Sequence, residues 1–310
     1  MNFTIVATGL ACLDVMDVDS DEPPRLSAGG FPNAMILLRR RGWSVAPVVD
    51  LGEDRAGDYV LEEFRRWRIN DQFVRRRSDI QTPIYVLYHR NGGHDFVKQC
   101  PYCEERFPLY KPVSPDFIDA IEASLPKKID VFYFDKVSPA ALKLAKICRR
   151  RSAWIVFEPN RIDDADLFRQ SVEICDLIKY SRDRRVGVQE ITGAASVPLE
   201  IETAGSEGLR YRVTCANQKS EWRALPPAPL LDFVDAAGAG DWLTASLISS
   251  IATPSAFQAI LKKEDELQRI LIKGQEASAY NCRFAGARGA LYVDRPMLRG
   301  RDFCPCCQGR

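Results

Sequence analysis

The residues best suited to chemistry lie at positions 235–241, where the chain reads Asp-Ala-Ala-Gly-Ala-Gly-Asp before an apolar helical run. Backbone N–H groups at a helix start have no intrahelical partner, and the helix dipole adds partial positive charge there. The small residues Ala237, Gly238, Ala239 and Gly240 would let a phosphate approach these N–H groups closely. Asp241, at the same end, could accept the proton of an attacking alcohol. A tight turn without a ligand is the alternative interpretation.

A second candidate site is formed by cysteines. Two Cys-Pro-x-Cys pairs stand about two hundred residues apart, at Cys100 with Cys103 and at Cys304 with Cys307. The spacing within each pair suits tetrahedral zinc, and four thiolates would leave no open position, so the ion would be structural. Disulfides and free thiols are the alternatives. Cys306 would be left over, and His94 is a weaker substitute ligand.

The composition is that of an ordinary globular protein. The 310 residues are 46% hydrophobic and 27% charged, and the formal net charge is +1. The total charge therefore gives no reason to expect nucleic acid or an anionic membrane as a partner. The sequence has no apolar run near the ~20 residues needed to cross a bilayer, and its first residues lack signal-peptide features. We therefore expect a cytoplasmic protein.

Short apolar strands alternate with amphipathic helices along most of the chain. This alternation predicts a mainly parallel sheet covered by helices on both faces. Two segments, 14–28 and 82–96, depart from it, and the second reads as an antiparallel hairpin with a turn at Gly92-Gly93. The predicted strands are 3–7, 45–49, 130–134, 154–157 and 177–179, and the predicted helices are 33–41, 56–67, 139–150, 165–175, 241–252 and 264–284.

In their order, these motifs resemble the PfkB sugar kinases, the ribokinase-like family. The segment 235–241 resembles the C-terminal signature, and Gly29-Gly-Phe-Pro-Asn33 resembles the N-terminal one. The resemblance spans nearly the whole chain and implies an α/β fold, a ribokinase-like three-layer α/β/α sandwich with a mainly parallel central sheet and a small β-sheet lid. It implies one kinase domain over 1–310, with the lid from about 11–30 and 82–99. The cysteine pairs, at 100–103 and 304–307, are outside the family pattern.

The resemblance also implies which residues bind the substrate. Asp14, after the first strand, would hydrogen-bond sugar hydroxyls, although such an Asp is otherwise a common turn or cap residue. Gly29 and Gly30 would let backbone amides reach the sugar. Asn33 would bind a hydroxyl, and it is also a suitable helix N-cap.

The segment from Phe157 to Arg161 looks like a strand-end motif of fructokinase and 2-keto-3-deoxygluconate kinase relatives. Glu158 and Asn160 would orient substrate or a magnesium-bound water, and Arg161 would neutralise the transferring phosphoryl group. A loop ion pair is the alternative. The family often carries Asn-x-x-Glu further on, but Ser181 and Arg184 occupy those positions here, which weakens the expected magnesium site.

Other residues are implied to contact the nucleotide. The segment from Thr203 to Gly208 matches the family's Thr-x-Gly-x-x-Gly, and Asn281 with the following Gly-Ala-Arg-Gly resembles the segment that walls the adenine. Trp242 replaces the small residue that commonly follows the signature Asp, and would either narrow the pocket or fill core. The expected nucleotide residues are Lys179, Thr203, Gly205, Gly208, Asn281 and Gly286.

The resemblance implies ATP-dependent phosphorylation of a hydroxymethyl group on a sugar or sugar-like substrate, nucleosides included. The expected cofactors are ATP and Mg²⁺, with a monovalent cation near Asp235 as a further candidate and the structural Zn²⁺ predicted from the cysteines. A homodimer would form through the lid, unless the cysteine-bearing tail covers that edge. The alternative function is a ribokinase-like binding or regulatory protein with weakened catalysis, acting through a partner surface near the zinc knuckles.

Overall fold

The chain alternates strands and helices much as its apolar pattern predicts. The computed structural model describes residues 3–90, 93–159, 161–184, 187–216 and 218–308. The strands are β1 (Thr4–Thr8), β2 (Ala11–Met16), β3 (Arg25–Gly30), β4 (Ser44–Pro47), β5 (Val49–Gly52), β6 (Val74–Arg77), β7 (Ile84–Arg90), β8 (Gly93–Val97), β9 (Val131–Phe134), β10 (Trp154–Phe157), β11 (Leu177–Ser181), β12 (Leu199–Thr203), β13 (Leu209–Cys215), β14 (Gln218–Lys219), β15 (Arg223–Leu225) and β16 (Leu298–Arg299).

The helices have conventional start and stop signals. Ser138 caps α4 through the N–H of Ala141, Pro139 follows at the first helical position, and two arginines fall in the last turn. The α-helices are α1 (Pro32–Arg40), α2 (Arg55–Arg66), α3 (Pro115–Ile121), α4 (Pro139–Arg150), α5 (Ala165–Ile174), α6 (Val188–Ala194), α7 (Ala239–Ile251), α8 (Pro254–Ile260) and α9 (Glu264–Asn281). Within the described ranges, none of these helices has the length and apolar character needed to span a membrane.

The main sheet has a parallel core with an antiparallel edge. Within the described residues it runs in the order β14-β13-β12-β11-β10-β9-β1-β4, with β15 also paired to β13. All pairs from β4 to β12 are parallel, whereas β13 runs antiparallel to β12. Buried side chains on the two faces form separate apolar clusters: Ile5 and Ala7 belong to one, and Val6 belongs to the other. Helices cover both faces, as predicted.

A second, smaller sheet gathers the two segments that depart from the alternation. Its order is β16-β3-β2-β7-β8, and we call it the small sheet. The predicted hairpin is confirmed as the antiparallel pair β7 and β8, although Gly92 of its turn lies outside the described residues. The strand β16, from near the C-terminus, was not predicted and pairs antiparallel with β3.

One predicted strand is wrong in extent. The expected strand 45–49 divides into β4, in the main sheet, and β5, which pairs with β6 in a separate two-stranded sheet. The division falls at Val48, whose N–H still bonds to the carbonyl oxygen of Ala7 in β1 (2.8 Å), whereas the N–H of the next residue, Val49, bonds to the carbonyl oxygen of Phe73, just before β6 (3.3 Å). After β5 the chain reaches Asp54, whose side chain caps α2.

Candidate active site

The candidate active site lies at the carboxyl edge of the parallel strands, where ligands collect in sheets of this type. Glu158 directly follows β10, Asp135 directly follows β9, and Lys179 lies within β11. The N-terminus of α7 faces the same point, since a Cβ atom added to Gly240 would lie 3.2 Å from Lys179 Nζ and 3.5 Å from Glu158 Oε1. Two acids, a lysine and a helix start therefore converge.

The turn before α7, residues 237–240, has the geometry of an anion site, and we call it the anion turn. Its N-cap is Gly238, which adopts the left-handed φ of 72°, and among the described residues no side chain caps the helix. A Cβ atom at Gly238 would lie 2.3 Å from the carbonyl oxygen of Ala287, so only glycine fits without movement. The N–H groups of the first turn are therefore not used by a side-chain cap.

This turn is held rigidly from behind. Asp235 accepts hydrogen bonds from the N–H groups of Ala237 (2.9 Å) and Gly286 (2.8 Å). Asn281, whose side chain is fully buried, donates to the carbonyl oxygens of Ala237 (3.1 Å) and Ala287 (3.2 Å). Predicted nucleotide residues Asn281 and Gly286 thus meet the predicted anion turn. Because the Asn281 amide is buried, it acts on this region through the backbone that it holds.

Trp242 fills core rather than the cleft. It is 8% exposed, and its indole Nε1 donates to the carbonyl oxygen of Ala287 at 3.0 Å. The bond adds a third tie between the start of α7 and the segment after α9. Of the two interpretations that the sequence left open, the structure supports the core one.

The Asp241 carboxyl, in the first turn of α7, is electrostatically unusual. Burial and the nearby negative charge of Glu158 raise its pKa to about 8, although Lys179 and a hydrogen bond from Asn33 oppose the shift. A carboxyl with a pKa near neutrality is suited to general base work. The bond also brings Asn33, a predicted substrate residue, into contact with the predicted base.

Beneath Asp241, Glu158 is embedded in a network. One carboxylate oxygen accepts from the ammonium of Lys179, and the other accepts from Thr244 Oγ1 (2.7 Å) and the hydroxyl of Tyr133 (3.3 Å). Lys179, expected at the nucleotide, is 2% exposed and lies next to the anion turn. Glu158 can hold a magnesium-bound water only alongside these partners. Asn160 lies outside the described residues.

Two predicted substrate residues meet on the small sheet. A Cβ atom on Gly29 would lie 2.1 Å from the Asp14 carboxylate, so the glycine makes room for that side chain. The register pairs Asp14 of β2 with Ser27 of β3 and with Tyr85 of β7. The adjacent Gly30 has φ 75° and turns the chain into α1. The aspartate is 7% exposed, and it belongs to a sheet strand rather than a turn.

Asn33 and Arg161 differ in their surroundings. The N-cap interpretation of Asn33 is wrong, because α1 begins at Pro32 with Phe31 as N-cap. The Arg161 side chain is 68% exposed and pairs with Asp163, which matches the loop ion pair that the sequence allowed. Burial raises the pKa of Tyr85 in the small sheet to about 12, and the charge of Arg161 opposes this shift.

Sequence reasoning missed Arg288 as part of the site. This residue is 1% exposed and donates to the Asn33 side chain, to the carbonyl oxygen of Ala28 (2.6 Å) and to Glu63 Oε1 (2.8 Å). Glu63, itself buried, neutralises the guanidinium and also accepts from the N–H of Ala28. The arginine therefore fixes Asn33 from the side opposite Asp241.

Asp135 was also missed, although the sequence carried a signal for it. Its Oδ1 accepts from the N–H of Leu10 at 2.8 Å, and a Cβ atom on Gly9 would overlap it. Burial raises its pKa to about 7, while neighbouring Lys136 opposes the shift. An acid directly after an apolar strand is the pattern that pointed to Glu158, and it applies equally here.

The remaining nucleotide residues form a turn between β12 and β13. Thr203 Oγ1 donates to the carbonyl oxygen of Tyr180 (3.4 Å). The N–H of Ala204 donates to the carbonyl oxygen of Gly208 (2.8 Å). Gly205 and Gly208 both have positive φ, at 55° and 89°. A Cβ atom at Gly205 would meet open space, so a ligand can approach there.

A groove of about 290 Å³ lies beside the anion turn. Its lining is partly apolar, and the nearby chain exposes Leu231 (77%), Val234 (49%) and Tyr280 (49%). The N–H of Val234 bonds to the carbonyl oxygen of Cys282 (2.8 Å), which joins this segment to the end of α9. The lining residues are Ala228, Pro229, Leu230, Leu231, Asp232, Glu276, Ala279, Tyr280 and Arg283.

The four predicted zinc ligands lie close together, although the two pairs are about two hundred residues apart in sequence. The sulfur atoms of Cys100 and Cys307 lie 3.7 Å apart, as do those of Cys103 and Cys304. All four ligand atoms lie within 4.8 Å of one another, an arrangement compatible with a zinc ion. Cys306 is exposed and outside this cluster.

The fold and this edge-of-sheet site define a class of α/β phosphotransferases, and comparison with known proteins agrees. The model of the family described as pfkB family carbohydrate kinase matches residues 4–292. The chain therefore belongs to the pfkB family of carbohydrate kinases.

Similar proteins act on different acceptors. Probable fructokinase-6, chloroplastic, of Arabidopsis thaliana is 24% identical over 85% of this chain and 71% of its own length. Aminoimidazole riboside kinase of Salmonella typhimurium is 19% identical, with 83% of each chain covered. Among solved structures, Xylella fastidiosa fructokinase with bound ATP has a TM-score of 0.71 at 16% identity, covering 92% of this chain and 93% of its own. These similarities confirm the ribokinase-like fold.

Proposed function

We propose that this kinase transfers the γ-phosphoryl group of ATP to a hydroxymethyl group of a sugar or nucleoside-like acceptor, with Asp241 as general base. The observation that carries the proposal is the position of Asp241. Its carboxyl, with a pKa raised to about 8, lies in the first turn of a helix without a side-chain cap among the described residues, and it is hydrogen-bonded to Asn33. Base, anion donors and a candidate substrate residue thus lie together.

On the acceptor side, Asp14, Gly29, Gly30 and Asn33 bind the sugar hydroxyls. The small sheet acts as a lid, built from about 11–30 and 82–99 within one domain over 1–310. Asp241 accepts the proton of the attacking hydroxymethyl group as its oxygen bonds to the γ-phosphorus and the bond to the ADP oxygen breaks. The buried Asp14 carboxylate suits hydroxyl recognition, because a site built for hydroxyls strongly rejects acceptors that lack them.

On the phosphate side, the N–H groups of Gly238 and Gly240 in the 237–240 turn stabilise charge on the γ-phosphate, because the N–H groups of Ala237 and Ala239 already donate to Asp235 and to the carbonyl oxygen of Ala236. The turn needs no rearrangement during reaction, because Asp235, Asn281 and Trp242 hold its backbone in place. Lys179 lies next to it, and Arg161 neutralises the transferring phosphoryl group after leaving its ion pair with Asp163. Similarity to structures with bound ATP supports ATP as the donor.

The adenine of ATP occupies the groove beside Leu231 and Tyr280, and the ATP phosphates point to the anion turn. The exposed apolar side chains there give a flat base a surface against which it can stack. Thr203, Gly205 and Gly208 lie beside the ribose and phosphates, and Gly286 borders the base.

Three metal ions enter the proposal. Mg²⁺ would neutralise phosphate charge and would be held through a water molecule on Glu158. In the altered Asn-x-x-Glu region, the described acid nearest in sequence is Asp183, which is exposed, so Glu158 is the better candidate. A monovalent cation near Asp235 would be bound by this carboxylate in addition to the two backbone N–H groups that already donate to it. Zn²⁺ bound by the four cysteines is structural.

A homodimer through the small sheet would use its β8 edge, because β16 covers the other.

The alternative is a kinase-like binding protein with weakened catalysis. The altered Asn-x-x-Glu region favours it, whereas the intact surroundings of Asp241 favour an active enzyme. Both are tested by incubating purified protein with ATP, Mg²⁺ and single acceptors: D-fructose, aminoimidazole riboside, inosine, and a set of sugars and sugar acids. The proposal predicts a product heavier by one phosphoryl group with at least one acceptor. ATP binding without any phosphorylated product would favour the alternative.

A further inference from the structure

The two edge strands of the small sheet both lead into the cysteine cluster. On one edge, β8 ends at Val97, shortly before Cys100. On the other, β16 ends at Arg299, shortly before Cys304. The sheet order β16-β3-β2-β7-β8 makes these opposite edges. Any ion that binds all four cysteines therefore joins the two edges of one sheet.

The sulfur positions fit a single tetrahedral ion. Four thiolates at about 2.3 Å from zinc would lie about 3.8 Å from one another, which is the edge of that tetrahedron. The measured separations are 3.7 Å for Cys100 with Cys307 and 3.7 Å for Cys103 with Cys304. A disulfide needs about 2.05 Å. Each close pair takes one cysteine from each knuckle, so the two knuckles form a single cluster.

Both knuckles have the folded turns that support a metal site. The N–H of Tyr102 points to the Cys100 sulfur at 3.5 Å, and the N–H of Cys307 bonds to the carbonyl oxygen of Cys304 at 3.2 Å. Phe303, directly before the second knuckle, is fully buried and packs against Phe107 with ring centroids 6.3 Å apart. The knuckles are thus packed together by apolar side chains as well as by their sulfurs.

The tail between β16 and the second knuckle is also attached to the body of the protein. Asp302 accepts from the hydroxyl of Tyr59 (2.5 Å) and from Arg55 Nε (2.7 Å), both on α2. The N–H of Gly300 bonds to the carbonyl oxygen of Pro24, just before β3. The tail therefore forms a strap that runs from the edge of the small sheet, over α2, to the cysteine cluster.

We propose that Zn²⁺ at Cys100, Cys103, Cys304 and Cys307 acts as a clamp that closes the strap and fixes the small sheet over the acceptor site. The strands between the clamped edges, β2 and β3, carry Asp14 and Gly29, which bind the acceptor in the proposed function. The effect of the clamp on acceptor kinetics therefore rests on the proposed function. Without the ion, the strap would be held by the two-residue pairing of β16 with β3, by the Asp302 and Gly300 hydrogen bonds and by the packing of Phe303. Edge strands of this length are weak by themselves.

The test compares Cys103→Ser with Cys306→Ser, a control in the other knuckle whose thiol is exposed and outside the cluster. Zinc content is measured on protein purified without chelator, together with amide hydrogen exchange in β2, β3 and α4. The clamp predicts about one zinc per chain in wild type and in Cys306→Ser, and loss of zinc in Cys103→Ser. It predicts exchange faster by at least about tenfold in β2 and β3, with α4 unchanged as evidence that the variant is folded.

If Cys103→Ser does not fold, the same exchange is measured on wild type before chelation, after chelation and after Zn²⁺ is restored. Full zinc content in Cys103→Ser would overturn the site, and zinc loss without faster exchange in β2 and β3 would overturn the clamp. For an active acceptor, the clamp predicts a higher acceptor KM after zinc loss with the KM for ATP unchanged. The zinc and exchange results need no acceptor, so a failure of the kinase proposal would remain distinguishable.

Discussion

Asn33, in the first turn of α1, donates a side-chain hydrogen bond to Asp241, in the first turn of α7. The two residues come from opposite ends of the chain and belong to two separate motifs. The contact stabilises the carboxylate form and so works against the burial that raises the pKa of Asp241 to about 8. It also means that an acceptor hydroxyl bound at Asn33 would lie beside the base.

The pKa of Asp241 predicts how the reaction depends on pH. The base acts as a carboxylate, and below about pH 8 a growing fraction is protonated. We expect kcat/KM to fall by about tenfold per pH unit well below that value, and to level off above it. Initial rates from about pH 6 to about pH 9.5 check this. A flat profile over that range would contradict Asp241 as the titrating base.

Asp241→Asn should stabilise the folded protein at alkaline pH. A carboxyl whose pKa rises from 3.8 to about 8 on folding contributes stability that is present at low pH and lost as the pH rises through about 8. Asparagine stays neutral and avoids this loss. We expect Tm to increase by at least about 2 °C at about pH 9, and by less at about pH 5. A lower Tm at pH 9 would show that the carboxylate is not strained there.

Gly238→Ala should damage the anion turn. The new Cβ atom would lie 2.3 Å from the Ala287 carbonyl oxygen, at a φ of 72° that alone costs about 1–2 kcal/mol for a residue with a side chain. We expect ATP affinity and turnover both to fall by at least about tenfold. Gly193→Ala is the matched control, since a Cβ atom there meets nothing within 4 Å. Wild-type ATP affinity in Gly238→Ala would refute the anion assignment.

Arg288→Met should release Asn33 and so act on the base indirectly. With Asn33 free to move, the hydrogen bond that lowers the pKa of Asp241 weakens, and the acid limb of the pH profile should shift upward, with kcat reduced by about tenfold. Asn33→Ala should give the same shift, which covers the case that the buried Arg288 is needed for folding. Arg269→Met, on the exposed face of α9, is the control. An unchanged acid limb in both site variants would remove Arg288 as a positioning residue.

Much of the fold could be predicted from local signals. Helix α4 and strand β10 have the predicted bounds, since Ser138 and Pro139 mark the helix start and Trp154 begins an unbroken apolar strand. The antiparallel edge was not predicted, because β12 carries Glu200 and Glu202 at buried positions. Their charges are neutralised by Arg212 and Arg210 on the next strand, a pairing that is invisible in a single segment.

The site was predictable where a motif is local and not where it is assembled. Asp241 and Gly238 belong to one short segment whose spacing already indicates an anion turn. Arg288, by contrast, works through Glu63 on α2 and Asn33 on α1, so its role depends on tertiary contacts. The cysteine pairs lie between these cases, because each knuckle is local but their meeting at 3.7 Å depends on the strap.

Acceptor-dependent ADP formation by wild type and Asp241→Asn, measured side by side with ATP affinity, tests directly whether Asp241 is the base. With any acceptor that the wild type phosphorylates, we expect a rate lower by about 10²–10⁴ in the variant. ATP affinity should stay close to that of wild type, because the carboxylate is not one of the anion donors. Wild-type turnover in Asp241→Asn would contradict the assignment of this residue as the base.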